Sequence, residues 1–196
     1  MIRAIFLDVD GTLISFSTHE IPASARRALT QAHERGVRLF IATGRAANDL
    51  GPLEGIPYDG VVSLNGARCV ANDGRVVSLH PIPRADFERA LALSEEQDFA
   101  MGLELEEGVF VNRVTPDVKR VAHMVAHPVP EQTDLRELFG RVECCQLCFY
   151  FDAETQRRVM AELPTLVASR WCPIFADVNV AGIDKAVSYT HLTLPT

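Results

Sequence analysis

The 196-residue sequence has no apolar run approaching the roughly 20 residues of a membrane-spanning helix. Its start also lacks the pattern of a secretory signal, because one arginine and a short apolar stretch are followed at once by acids. An excess of basic residues is missing too, since the formal net charge is -7. Nucleic acids and anionic membranes bind basic surfaces, so the composition predicts neither as a partner. Nothing in the sequence indicates an obligate protein partner.

The sequence also lacks the even number of cysteines that a disulfide framework requires. The five cysteines are Cys69, Cys144, Cys145, Cys148 and Cys172. Free thiols in a reducing compartment explain this set better, so we expect a cytoplasmic protein. No second Cys/His pair stands at zinc-finger spacing, and alternation over 142–151 predicts strand core for the three clustered cysteines. His123 and His127 stand four residues apart as metal ligands can, but the glutamate of an HExxH site is missing, which favours an ordinary helix face.

What the sequence does contain is an alternation of strands and helices at its start. Residues 2–8, 37–45 and 60–66 predict strands, and the second is nearly all apolar, as in a parallel strand buried on both faces. Residues 22–36 predict a helix that ends at Gly36. Residues 67–79 predict a hairpin that turns at 72–74. This order is typical of an α/β protein with a parallel sheet.

The pattern changes near Pro81 and Pro83. Helices are predicted over 84–97, 115–127, 134–140 and 153–163, with Thr115 and Pro116 as the N-cap and first position of the second one. Strands are predicted over 100–105, 108–112, 142–151, 166–171 and 174–181. Helices and strands in this order indicate a second, α+β domain over about residues 82–180.

Polar residues follow three of the predicted parallel strands. Asp8 and Asp10 follow the first strand, Thr43, Gly44 and Arg45 the second, and Asn65 the third. Ligands of open parallel sheets bind beyond the carboxyl ends of the strands, so these clusters should converge on one crevice. A carboxylate can act as nucleophile, a second one can transfer protons, and paired acids suit Mg²⁺. The pattern predicts phosphoryl transfer. The competing interpretation is that Asp8 and Asp10 are ordinary turn residues.

The segments DVDGTL, ATGR, SLNGA and GIDKA, taken in this order, resemble the haloacid dehalogenase superfamily of phosphatases. Within it the chain resembles the Cof-type sugar phosphatases, which carry a large α/β cap before the motif lysine. The resemblance implies a Rossmann-like parallel-sheet core over 1–81, an inserted α+β cap over 82–180 and a return to the core over 181–187. It also implies a Mg²⁺-dependent phosphatase acting on small phosphorylated metabolites such as sugar phosphates, with the cap closing over the site.

The resemblance assigns roles to the motif residues. Asp8 would attack phosphorus and form an aspartyl-phosphate, and Asp10 would protonate the leaving alcohol and later activate water. Thr43 and Gly44 would bind the phosphoryl group, and Lys185 would neutralise Asp8 and the phosphate. Arg45 and Asn65 would face the substrate. The Asp8 carboxylate and the Asp10 backbone carbonyl would ligate Mg²⁺.

The sequence departs from the family pattern after Lys185. The acidic pair that completes the Mg²⁺ site of the family does not follow it, and residues 188–196 resemble translated vector sequence, which predicts a truncated chain with a foreign tail. Loss of the later strand would leave residues 4–8 as an exposed apolar edge, so we expect self-association, weak Mg²⁺ binding and little turnover.

Two other classes of function are open at this point. A receiver-type signalling domain also gathers aspartates, a threonine and a lysine at strand ends, but the DxDGT pattern on the first strand and the long cap argue against it. A non-catalytic ligand-binding protein is the second alternative, and release of phosphate would exclude it.

Overall fold

A computed structural model of the chain describes residues 2–15, 18 and 20–185. The proposed foreign tail, 188–196, lies outside the described residues, as do 186 and 187 of the expected return to the core. The chain divides into two compact units, one formed by residues up to Leu79 together with the segment from Ile183, and the other by His80–Gly182.

The first unit contains a five-stranded mixed sheet in the order β1-β2-β3-β4-β5. Its strands are β1 (Ala4–Leu7), β2 (Arg38–Ala42), β3 (Gly60–Ser63), β4 (Arg68–Ala71) and β5 (Val76–Leu79). The first three are parallel, with Leu7 opposite Ile41 and Ile41 opposite Val61. The last two form the predicted antiparallel hairpin. Parallel strands combined with helices confirm the predicted α/β class.

Burial explains why these segments form this sheet. The four residues from Leu39 to Ala42 are at most 2% exposed, which suits an interior strand covered on both faces. Within the described residues β1 pairs with β2 alone, and its four residues are half-buried. Helix α1 (Ala23–Glu34) is followed by Gly36 two residues later, whose φ of 82° and N–H bond to the His33 carbonyl are those of the predicted C′ glycine.

The second unit contains a six-stranded sheet in the order β10-β11-β9-β6-β7-β8. The strands are β6 (Ala100–Leu105), β7 (Gly108–Val111), β8 (Glu131–Gln132), β9 (Gln146–Tyr150), β10 (Leu166–Cys172) and β11 (Phe175–Val180). The helices are α2 (Arg84–Glu96), α3 (Pro116–Met124), α4 (Leu135–Phe139) and α5 (Ala153–Ala161). All pairs except β7–β8 are antiparallel. This is the α+β organisation that the sequence predicts.

Side-chain caps fix where three of these helices begin. The Thr115 hydroxyl accepts the Val118 N–H, Asp134 accepts two backbone N–H groups of α4, and Asp152 accepts the Thr155 N–H. The bond from the Thr155 N–H, together with one from the Thr155 side chain, lowers the pKa of Asp152. The caps hold the helix ends while apolar side chains of α2, α4 and α5 pack against one face of the sheet, around Phe87, Leu135 and Phe149.

The segment 142–151 forms a shorter strand than its alternation predicts. Only Gln146–Tyr150 joins the sheet, because the Cys144 carbonyl instead accepts the N–H of Ile82 at 2.8 Å. All five cysteines are free and buried, as expected for core thiols without a disulfide. No helix in the described part of the chain is both long and apolar enough to cross a membrane.

Candidate active site

The loop after β1 presents its two acids because the residues between and after them are buried. Val9 is 1% exposed, and Leu13 and Ile14 are nearly as buried. The N–H groups of Leu13 and Ile14 donate to the Val9 carbonyl at 3.0 and 2.9 Å, which closes the turn. Anchoring of the apolar side chains therefore leaves the carboxylates of Asp8 and Asp10 about two-fifths exposed, at 40% and 42%.

Asp8 is paired with the lysine that lies 177 residues later in the chain. The distance from Lys185 Nζ to Asp8 Oδ1 is 2.6 Å, and the Thr12 hydroxyl donates to Asp8 Oδ2 at 3.2 Å. A cation and a hydroxyl thus hold the two oxygens of one carboxylate. This fixes the orientation of Asp8 and offsets its charge.

Asp10 is held by a guanidinium. Arg45 donates from Nε to Asp10 Oδ2 at 2.9 Å and from Nη2 to Asp10 Oδ1 at 2.8 Å, which is a bidentate pair. The remaining nitrogen, Nη1, lies 3.2 Å from Asp49 Oδ2 and 3.4 Å from the Asp49 carbonyl oxygen. The bond to Asp10, then its charge and that of Asp49, raise the pKa of Arg45 against the opposing effect of burial.

Backbone bonds join the loops after β2 and β3. The Asn65 N–H donates to the Thr43 carbonyl at 3.0 Å, and the Leu64 N–H donates to the Arg45 carbonyl at 3.1 Å. A Cβ on Gly44 would lie 3.1 Å from Asn65 Oδ1, so the approach of these loops favours glycine there. Leu64 and Asn65 both have positive φ, 50° and 56°, which is uncommon for a leucine.

Thr43 is the buried member of the set. It is 1% exposed, and its Oγ1 accepts the Arg45 N–H at 3.1 Å. The bond from the Arg45 N–H uses one of the two lone pairs on this oxygen, and the hydroxyl hydrogen can be donated to a ligand.

The structure brings the seven sequence-predicted residues into two linked groups. One is Asp8 with Lys185, and the other is Asp10 with Arg45, Thr43, Gly44 and Asn65. Asp8 and Asp10 share one turn and so connect the groups. An anchored carboxylate beside a cation, a second acid and a buried hydroxyl are the components of phosphoryl transfer.

Two contacts of the site were missed by sequence reasoning. Thr12 follows Asp8 by four positions in the turn, but its bond to that carboxylate depends on the turn geometry. Asp49 follows Arg45 by four positions in a segment without a motif, and the i,i+4 spacing of opposite charges was its one available signal.

A second group of ionisable side chains lies in the other unit, on β6, β9 and β11. Ligand atoms of Glu104, Cys148 and Asp177 lie within 4.8 Å of one another. The Gln146 amide nitrogen donates to Glu104 at 2.7 Å and to Asp177 at 3.2 Å, and Asn179 donates to the Gln146 amide oxygen at 3.1 Å. The two carboxylates therefore already share an N–H donor, and this group is part of a bonded buried network.

Comparison with known proteins agrees with the site. Residues 5–194 match the haloacid dehalogenase-like hydrolase family, so the chain belongs to this family. A phosphatase candidate of Bacillus subtilis (strain 168), YkrA, is 26% identical over 190 residues, which cover 94% of this chain and 70% of YkrA.

Solved structures with high similarity include two phosphatases. BT1666 of Bacteroides thetaiotaomicron, described among phosphatases of the haloalkanoate (HAD) superfamily, is 53% identical with a TM-score of 0.93, covering 98% of this chain and 72% of its own. BT4131, described as a subclass IIB sugar phosphatase, is 29% identical with a TM-score of 0.85, covering 97% and 74%. Family membership and these relatives confirm the predicted enzyme class, a phosphoric monoester hydrolase.

Proposed function

We propose that the protein is a Mg²⁺-dependent phosphatase that hydrolyses small phosphorylated metabolites, sugar phosphates among them, through an aspartyl-phosphate on Asp8. The observation that carries the proposal is the pair of acids on one turn, each bound to its own cation. Lys185 lies 2.6 Å from Asp8, and Arg45 binds Asp10 through two nitrogens. Family membership and the phosphatases among the relatives support it.

In the first step the Asp8 carboxylate attacks the phosphorus of the bound ester. The new bond joins an Asp8 oxygen to phosphorus while the bond from phosphorus to the ester oxygen breaks. The electron pair of that bond stays on the leaving oxygen, which takes a proton from Asp10 and departs as an alcohol. Lys185 offsets the negative charge that would otherwise repel the phosphate from Asp8.

In the second step water attacks the phosphorus of the aspartyl-phosphate. The Asp10 carboxylate accepts a proton from this water, and the bond from phosphorus to Asp8 breaks. Inorganic phosphate leaves, Asp8 is a carboxylate again, and Asp10 carries the proton for the next cycle.

The loops after β2 and β3 would hold the substrate. The Thr43 hydroxyl hydrogen would be donated to a phosphoryl oxygen, and Gly44 would let the backbone approach the anion. Arg45 and Asn65 would lie against the substrate, and the backbone N–H bonds from both residues to Thr43 support this.

The donor set at the turn fits Mg²⁺, which prefers oxygen ligands. The Asp8 carboxylate and the main-chain carbonyl of Asp10 would hold the ion, as the family resemblance implies. Bound Mg²⁺ would supply charge stabilisation to the transferring phosphoryl group.

A panel of phosphorylated sugars and other small phosphoesters, assayed for phosphate release with and without Mg²⁺, tests the proposal. We expect slow Mg²⁺-dependent release from the wild type, in keeping with the little turnover expected from the sequence, and release at the uncatalysed rate from Asp8→Asn, which removes the nucleophile. Asp73→Asn makes the same chemical change in the exposed β4–β5 turn and should retain activity. Wild-type protein that binds phosphoesters without releasing phosphate would instead indicate a ligand-binding protein.

A further inference from the structure

Asp49 is linked to Asp10, the proposed proton donor, through the side chain of Arg45. The Arg45 guanidinium divides its donors between two acids, with Nε and Nη2 directed to Asp10 and Nη1 to Asp49. Of these three side chains that of Arg45 is the least exposed, at 23% against 42% for Asp10 and 34% for Asp49. The guanidinium is therefore clamped between a loop after β1 and the segment after β2.

The geometry of the clamp makes the position of Asp10 depend on Arg45. A guanidinium is a rigid plane, so an acceptor that fixes one edge also fixes the direction of the other edge. Asp49 itself is held by its N–H bond to the Ala46 carbonyl at 3.1 Å. This bond belongs to the same short turn that carries Arg45, which gives Asp49 a defined place relative to the guanidinium.

We propose that Asp49 is a positioning residue that orients the Asp10 carboxylate for proton transfer by anchoring the Arg45 guanidinium through Nη1. The catalytic consequence rests on the proposed function. Loss of the anchor would let the guanidinium rotate and carry Asp10 with it, and small misplacements of this kind cost up to about 100-fold in rate.

The first test compares substrates that need proton donation to different degrees. A sugar phosphate leaves as a poorly stabilised alkoxide and needs the acid, whereas p-nitrophenyl phosphate leaves as a stabilised phenolate and needs it little. We expect Asp49→Ala to lower kcat about tenfold on the sugar phosphate and less than threefold on p-nitrophenyl phosphate. Asp49→Asn, which keeps an acceptor oxygen, should recover part of the loss. Equal losses on both substrates would overturn the proposal.

The second test asks whether Asp49 acts through Arg45. In an Arg45→Ala background the Asp49→Ala change should have no further effect on the sugar phosphate, because the group it anchors is gone. If the activity losses of Arg45→Ala and Asp49→Ala multiply in the double variant, Asp49 acts independently of Arg45, which would overturn the proposal. Glu34→Ala, which removes an exposed acid from α1, controls for the change in net charge and should match the wild type.

A third measurement does not depend on turnover. Exchange of the Arg45 Nε–H with water, followed by NMR, should be slow in the wild type and about tenfold faster in Asp49→Ala, because the anchored plane loses an acceptor. Unchanged exchange would overturn the proposal. A wild type that releases no phosphate from any ester would refute the proposed function, while the exchange rates would still decide whether Asp49 anchors Arg45.

Discussion

Each of the two units contains a pair of neighbouring carboxylates, and the two pairs differ in their exposure and in the groups that bind them. In the first unit, Asp8 and Asp10 are about two-fifths exposed, and each is bound by a cation. In the second unit, Glu104 and Asp177 are bridged by the neutral Gln146 amide, which is fully buried. The cationic partners come from loops and a distant segment, whereas the amide comes from the neighbouring strand. Partly exposed acids on loops with charged partners suit chemistry, and acids bonded into a sheet suit structure.

Removal of Lys185 should cause the largest effect that separates the two regions. Lys185→Ala deletes the charge 2.6 Å from Asp8, and we expect kcat/KM to fall by about 100-fold or more, the range for losing one electrostatic contact to a transition state. The midpoint of thermal unfolding should change little, since the pair is partly exposed. Lys119→Ala, in an exposed position of α3, is the control. Loss of activity in both variants would contradict this role for Lys185.

Removal of the Gln146 amide should show the opposite pattern, with the effect on stability. Gln146→Leu leaves two carboxylates without their shared donor, and the free energy of unfolding should fall by about 2–4 kcal/mol. Denaturant unfolding measures it, with the exposed Gln31→Leu as the matched control. A variant as stable as the wild type would mean that the network contributes no net stability.

The smallest expected effect is a dependence of stability on pH that arises from Cys144 in the second unit. Burial raises the pKa of the Cys144 thiol from 9.0 to about 12, so the unfolded chain ionises this group first. The stability this difference contributes is complete below pH 9 and is lost as pH rises toward 12. Between about pH 8 and pH 10.5 the wild type should therefore lose more stability than Cys144→Ala. Parallel pH profiles of unfolding for the two proteins would contradict the prediction.

The strands, helices and strand-end residues were predictable because periodicity and caps are local properties. The long apolar run over β2 and the Thr115–Pro116 start of α3 illustrate this. The bond between Arg45 and Asp10 and the place of Asp49 were not predictable, since they depend on how two loops meet in space. The shortened β9 has the same cause, because the contact between Cys144 and Ile82 is tertiary. Residue identity thus indicated which groups form the candidate site, and packing determined which of them touch.

The contact between Asp8 and Lys185 also has a consequence during synthesis of the chain. The two residues are 177 positions apart, so a ribosome adding about 5–20 residues per second makes the lysine roughly 9–35 s after the aspartate. The whole second unit is translated within that interval and can fold first, because domains fold as units. Over that time Asp8 is exposed to the cell without its lysine, and the candidate site is completed only when translation reaches Lys185.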